Sequence, residues 1–347
     1  MHHTLRRTRP LNVAPRGSRR HAERGLRAIF GGMIVATILT AAVACDKQAQ
    51  GEPIDVPSPP QTSLAGKPTV LFQLFGDPAD PRLLPVAIMG HGRLTPITLD
   101  GSGWRTFDKL YFKPGARMTV YRDGTPMTVA VVQRGMWADG PPLYALPGCR
   151  TPRPMAAVKL DSVPGEMTSL DLIGTSDPVP PATRPVLIAA DQDSARAFAE
   201  RVASRAALLP AARAEMDLSV RAMHTGTTGM PTLMATFLEK PSSAGLRPRQ
   251  VFALGDSSAA GYEVTFYHAP RDSTPEFRRL VDHLDLTGDG VDEVVLEGWT
   301  SGADSYPIVL KYINGRWHEL ARGAGSWCAD APRHESPLHV SGIPGVH

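Results

Sequence analysis

Short apolar runs divided by turns fill the chain from Pro68-Thr69-Val70-Leu71-Phe72 to about residue 175. Pro96-Ile97-Thr98-Leu99 runs into Asp100-Gly101, and Met118-Thr119-Val120-Tyr121 runs into Asp123-Gly124 before Thr128-Val129-Ala130-Val131-Val132. Asp-Gly between β-rich runs signals a hairpin, because the central positions of a tight two-residue turn require positive φ. No helical period of useful length interrupts the pattern, so residues 67–174 are expected to form an antiparallel β unit. After a proline-rich linker around Asp177-Pro178-Val179-Pro180-Pro181 the spacing changes. Asp193 or Ser194 can cap a helix whose apolar face is Phe198, Val202, Ala206 and Leu209, stopped by Pro210. The period then becomes two at Met216, Leu218, Val220 and Ala222. Further strands are expected at 232–239, 249–255, 262–268, 279–286, 292–298 and 306–313, with Asn314-Gly315 turning the last hairpin. The predicted fold class is α+β and mainly antiparallel β. It combines the β unit with a helix and a β-meander over 186–347, without an internal repeat at a fixed period.

The N-terminal region has a different logic. Arg6 to Arg27 supplies eight arginines, and Ala28 to Ala44 carries no charge. A basic region, an apolar region and small residues in that order form a secretory signal, here 1–44. Residues 45–66, with Pro57-Ser58-Pro59-Pro60, read as an extended tether. Ala42-Val43-Ala44-Cys45 resembles the lipobox of bacterial lipoproteins. The resemblance implies cleavage before Cys45, acylation of its thiol, and a stable lipid anchor if more than one acyl chain is added. An uncleaved membrane anchor and a cleaved soluble protein are the alternatives. All three place the bulk of the chain outside the cytoplasm, because the basic flank stays inside. The expected location is extracytoplasmic and membrane-anchored, in the periplasm or at the cell surface.

Removing the first 45 residues reverses the apparent charge. The whole chain has 37 Lys and Arg against 34 Asp and Glu, but 29 against 33 remain after the signal, a net −4. The exported part therefore offers no basic footprint for nucleic acid. Gly (32) and Pro (33) are abundant enough to mark a turn-rich globular protein. With Cys45 assigned to lipid, Cys149 and Cys328 remain, in a compartment that permits a disulfide between them or two separate thiols.

The sharpest motif is Asp285-Leu286-Thr287-Gly288-Asp289-Gly290-Val291-Asp292-Glu293. Oxygens at alternate positions can encircle a hard cation: Asp285, Thr287, Asp289, the Val291 carbonyl and Glu293, with Gly290 allowing the tight turn. The segment resembles the Asp-rich loop of integrin-type FG-GAP and VCBS repeats, which joins two strands of a propeller blade. That resemblance implies Ca²⁺ between two strands; a metal-free structural turn is the alternative. It covers roughly residues 279–298, with one copy where a propeller needs several blades.

Leu254-Gly255-Asp256-Ser257 resembles the Gly-Asp-Ser block of GDSL hydrolases, with Asp330 and His334 as conceivable partners for a Ser257 nucleophile. The block comes late in the chain and within β-rich sequence, which favours a loop between strands. The histidines form no metal constellation, and a single strand histidine such as His283 reads as surface or hydrogen-bonded core. The five tryptophans read as strand packing rather than a sugar-binding face. Function is therefore expected to be a non-catalytic binding or structural module at the cell envelope, Ca²⁺-stabilised, whose partner is an envelope protein or glycan. The alternative is a secreted GDSL-like serine hydrolase using Ser257.

Overall fold

In the computed structural model the described residues are 62–136, 154–162, 167, 170–180, 182, 189–240, 249–270, 276–300, 304–323, 327–328 and 340–341. The signal, the tether up to residue 61, Cys45, Cys149, Asp330 and His334 lie outside them. Only the backbone of Cys328 is described, so the lipid anchor and the cysteine bridge remain expectations. Among the described residues no helix is long and apolar enough to cross a membrane. The fold is mainly antiparallel β with few helices, as the sequence pattern predicts. Residues Ser58–His347 belong to one compact unit.

The first β unit is a closed barrel. Its elements are β1 (Thr69–Gly76), β2 (Arg82–Gly90), β3 (Arg93–Pro96), α1 (Gly101–Tyr111), β4 (Arg117–Arg122), β5 (Thr125–Arg134), β6 (Ala156–Leu160) and β7 (Leu170–Thr175). The strand order is β1-β7-β4-β5-β6-β2-β3, and β2 also pairs back to β1, which closes the ring and leaves β3 on β2. Closure removes free sheet edges. Strand alternation fills the interior: Val70, Phe72 and Leu74 join Val120, Val132, Val158 and Leu172 inside with α1's Phe107 and Tyr111. The intervening Leu71, Tyr121 and Ile173 point outward into a second core.

Helix α1 corrects the all-β reading of this segment. Asp100 does not turn a hairpin; its carboxylate accepts the Gly103 N–H at 2.6 Å and caps the helix. Trp104, Phe107 and Tyr111 then fall at helical spacing, a signal hidden by two glycines in the first turn. The strand expected at 96–99 is also displaced, to β3.

The second part starts with α2 (Gln192–Arg205) and the short α3 (Pro210–Ala214). Asp191, not Asp193 or Ser194, caps α2 by accepting the Ser194 N–H at 2.6 Å. Ala206 is the C-cap and still packs, half-buried, against the Phe198 and Val202 core, whereas Leu209 is 71 % exposed where α3 begins and does not extend the buried face. Pro210 starts a helix instead of only ending one, since its missing N–H costs nothing in a first turn.

The expected single meander is two meanders stacked face to face. The first contains β8 (Met216–Met223), β9 (Thr232–Glu239), β10 (Gln250–Ser258) and β11 (Gly261–His268). The second contains β12 (Glu276–Leu284), β13 (Glu293–Thr300), β14 (Asp304–Ile313) and β15 (Arg316–Arg322). Two short strands, β16 (Trp327–Cys328) and β17 (Val340–Ser341), pair with β14 and β8. Asn314 and Gly315 both take positive φ in the final hairpin, as expected.

The second meander is buried on both faces. Val294, Leu296, Ile308 and Leu310 pack with Met234, Phe252 and Leu254 of the first meander. Val295 and Val309 pack with Leu71, Tyr121 and Ile173 of the barrel wall. Helix α2 covers the far face of the first meander through Phe198, Ala199 and Val202. Gly255 allows this close approach, because a Cβ there would stand 2.2 Å from the Phe198 ring. The layers are therefore barrel, second meander, first meander and helix.

The two meanders also repeat one another. Loops of equal length, 224–231 and 285–292, join β8 to β9 and β12 to β13. Leu233 and Val294 hold matching places; Leu233 pairs with Gly255, and Val294 with Leu310. Asp256 and Lys311 are thus equivalent positions with opposite charge. The repeat is hidden in the sequence because its chemistry has diverged: Thr232 stands where the other copy has Glu293, and His224 where it has Asp285.

Candidate cation site at the loop end

Leu284 and Leu286 bury their side chains in the core shared with the barrel and so pin the start of the Asp-rich loop. Asp285 accepts the N–H groups of Gly288 (2.7 Å), Asp289 (3.1 Å) and Gly290 (2.9 Å). It shapes the turn. Asp289 accepts the Val291 N–H at 3.1 Å through one oxygen. Glu293, only 1 % exposed, accepts the Leu286 and Thr287 N–H groups at 2.8 and 3.1 Å and the Thr287 hydroxyl at 2.8 Å.

The remaining oxygens converge on one atom, the ammonium nitrogen of Lys311 from β14. Lys311 Nζ donates to Asp289 Oδ2 at 2.6 Å, to Glu293 Oε1 at 2.9 Å and to Thr287 Oγ1. Three of the five donors named from the sequence therefore meet at a single cation, and that cation belongs to the chain. Asp285 and Val291 contribute to loop shape through their hydrogen bonds. Burial alone would lower the lysine pKa, but its bonds to Asp289 and Glu293 raise it above the ordinary value. Burial pushes Asp289 upward, but the Lys311 bond and charge together with the Val291 N–H bond outweigh it, leaving the carboxyl below its usual range. A bound Ca²⁺ contacting these oxygens would meet the ammonium at close range, so ion and lysine compete for one place.

Turns from three other hairpins pack onto this loop. The β2–β3 turn places Gly92 3.6 Å, measured from an added Cβ, from the Thr287 carbonyl. The β8–β9 loop accepts the Asp292 N–H on the Thr225 carbonyl at 2.7 Å. The β4–β5 turn brings in Asp123 and Gly124, both at positive φ. A Cβ on Gly124 would lie 2.9 Å from Asp292 and 3.0 Å from the His283 ring, so glycine is required for closure as well as for the turn.

Beside the loop, β12 carries a bulge between Leu280 and Asp282, which re-aims the residues that follow. Asp282 and His283 are each 3 % exposed. His283 Nδ1 lies 2.6 Å from Asp292 Oδ2. Asp282 Oδ1 accepts the His283 N–H at 2.7 Å and the Gly124 N–H at 3.3 Å. Its Oδ2 is buried and has no hydrogen-bond partner among the described residues. Burial raises the Asp282 pKa to about 6, against the opposing effect of His283. In the sequence His283 stands as a single strand histidine; the adjacent Asp282-His283 pair before an Asp-rich loop is the signal that marks it.

The Asp282 shift sets a pH dependence. A carboxyl with a raised folded pKa favours the folded state most when protonated, below its ordinary value of 3.8. That contribution disappears as pH rises through about 6. In chelator, wild type is expected to lose roughly 2–3 kcal/mol from this group between pH 3 and pH 7. Asp282→Asn keeps an acceptor for Gly124 and His283 and removes the charge. Urea unfolding of both proteins checks this: the variant gains relative to wild type as pH rises, and parallel curves contradict it.

Ser257 sits inside β10, opposite Tyr262 of β11, rather than on a loop or a strand-to-helix turn. Its neighbour Asp256 is buried and accepts hydrogen bonds from Thr227, Thr232, Thr265 and Trp317.

The fold and this loop end define a mainly antiparallel barrel-and-meander protein with an Asp-rich turn neutralised by lysine. No family model, curated protein or solved structure matches the chain.

Proposed function

We propose that the chain is an exported, lipid-anchored and non-catalytic binding or structural module of the cell envelope. The observation that carries this reading is the convergence of the β2–β3, β4–β5 and β8–β9 turns on the Asp-rich loop. Loops held together at one end of a rigid β scaffold are a recurrent way to present a recognition surface. The internal ion pairs and backbone hydrogen bonds fix that surface. The partner is an envelope protein or glycan, and Cys45 supplies attachment to the membrane.

Fractionation of cells expressing wild type and Cys45→Ser tests the anchor. Wild type is expected in the membrane fraction and to take up a labelled fatty acid that Cys45→Ser does not. A membrane-bound wild type without label would replace lipid with an uncleaved apolar segment. The hydrolase alternative has its own test, because ester hydrolysis that disappears in Ser257→Ala would establish an enzyme. Equal background rates in the two proteins are expected.

A further inference from the structure

We propose that Asp123, Asp282 and His283 form a site for a divalent transition-metal ion of the zinc type, between the β4–β5 turn and the bulged end of β12. This site is separate from the Lys311-filled loop and goes beyond the binding-module reading.

One ligand atom from each of the three residues lies within 4.8 Å of the others. Zinc bonds of about 2.0–2.2 Å require tetrahedral ligands roughly 3.4 Å apart, so the group closes by a small movement. Asp123 can supply it, since its side chain is 69 % exposed at the tip of the hairpin. The buried pair is fixed already. Asp282 Oδ1 is held by two backbone N–H groups, while Oδ2, buried and without a hydrogen-bond partner among the described residues, remains for an ion. An unsatisfied carboxylate oxygen in the interior is costly, and a cation would satisfy it.

His283 completes the chemistry. Its Nδ1 is engaged by Asp292 Oδ2 at 2.6 Å, leaving Nε2 as the ring nitrogen for metal. A carboxylate on the far ring nitrogen fixes tautomer and orientation and raises ligand basicity, as it does at many zinc sites. One imidazole with two carboxylates suits zinc and its neighbours better than Ca²⁺, which prefers an all-oxygen shell. Arg122 Nε and Arg221, at 3.9 and 3.7 Å from Asp123 oxygens, compete for that carboxylate and moderate affinity. Backbone origin argues for a built site as well: the bulge turns Asp282 and His283 toward the barrel, and Gly124 lets its hairpin reach them.

The test uses the full-length chain stripped with chelator and titrated with zinc chloride against a chromophoric zinc indicator. Wild type is expected to take up one tight equivalent that is lost, or weakened about tenfold or more, in Asp123→Asn and His283→Gln. Asn tolerates the positive φ of position 123, so that variant remains folded and decides the matter even if His283→Gln does not. Histidines elsewhere can bind zinc, but their contribution is unchanged in Asp123→Asn. Zinc uptake identical in wild type and Asp123→Asn would overturn the proposal. Displacement of the tight equivalent by an equal concentration of Ca²⁺ would overturn the assignment to a transition metal.

Discussion

Lys311→Met is expected to lower unfolding free energy by about 3 kcal/mol, the low end of the range for removing one partner of a buried ion pair. Glu293 is the reason. At 1 % exposure it retains the Leu286 and Thr287 donors but loses the cation that, among the described residues, is bonded to it. Asp289, nearly half exposed, can turn to water and adds less. The lost lysine packing is largely replaced by methionine, so the change reports charge rather than volume. A shifted urea midpoint with an unchanged slope would locate the effect in the folded state. Adding Glu293→Gln to Lys311→Met should recover much of the loss, because the amide oxygen still accepts and no charge is stranded. If Lys311→Met unfolds at the wild-type midpoint, the ammonium is not what neutralises the loop.

Asp256→Ala should cost more, about 4 kcal/mol. Asp256 Oδ1 accepts Thr227 and Thr232 at 2.6 and 2.5 Å, and Oδ2 accepts Thr265 and Trp317 Nε1 at 2.5 and 2.8 Å. Four donors lose one buried, charged acceptor, and hydrogen bonds to charge contribute roughly 1.5–3 kcal/mol each. Partial rescue keeps the total below that sum, because Thr225 and Thr232 already lie 2.6 Å apart and can bond to each other. Trp317 belongs to the core between the two meanders, so loss of its Nε1–H acceptor loosens their stacking. Asp256→Asn retains one oxygen acceptor and should fall between wild type and alanine. Equal stability of wild type and Asp256→Ala would remove Asp256 from the account of how the meanders are held.

These two positions explain what the sequence could and could not reveal. Most strands were legible, since period-two alternation and Asp-Gly or Asn-Gly turns are local properties. The turn at Asp123-Gly124, strands β8 and β9, and the hairpin at Asn314-Gly315 all fall where local pattern places them. Helix α1 was missed because Asp100-Gly101 serves equally as a turn and as a cap followed by a glycine. Division of one expected meander into two sheets was invisible for a different reason. Consecutive antiparallel strands have the same pattern whether the next one pairs or crosses to another layer.

The candidate site was half legible. Asp285, Thr287, Asp289 and Glu293 are contiguous, and their spacing announces converging oxygens. Lys311 is distant in sequence and reaches them only because β13 and β14 pair with Val294 opposite Leu310. Asp256 marks the same register in the first meander, where Thr232 replaces the acid. The repeat was concealed because charge moved from one side of the pair to the other. Asp123 joins Asp282 and His283 across the barrel–meander contact, which no local spacing encodes.

Ca²⁺ dependence of the thermal midpoint tests the central assignment of Lys311 as the loop's own cation. Wild type and Lys311→Met should each be melted in chelator and in Ca²⁺ on the order of millimolar, a concentration that fills weak extracellular sites. Wild type is predicted to melt at the same temperature in both, while Lys311→Met melts lower in chelator and recovers in Ca²⁺. A wild-type midpoint raised by Ca²⁺ as much as that of the variant would contradict it.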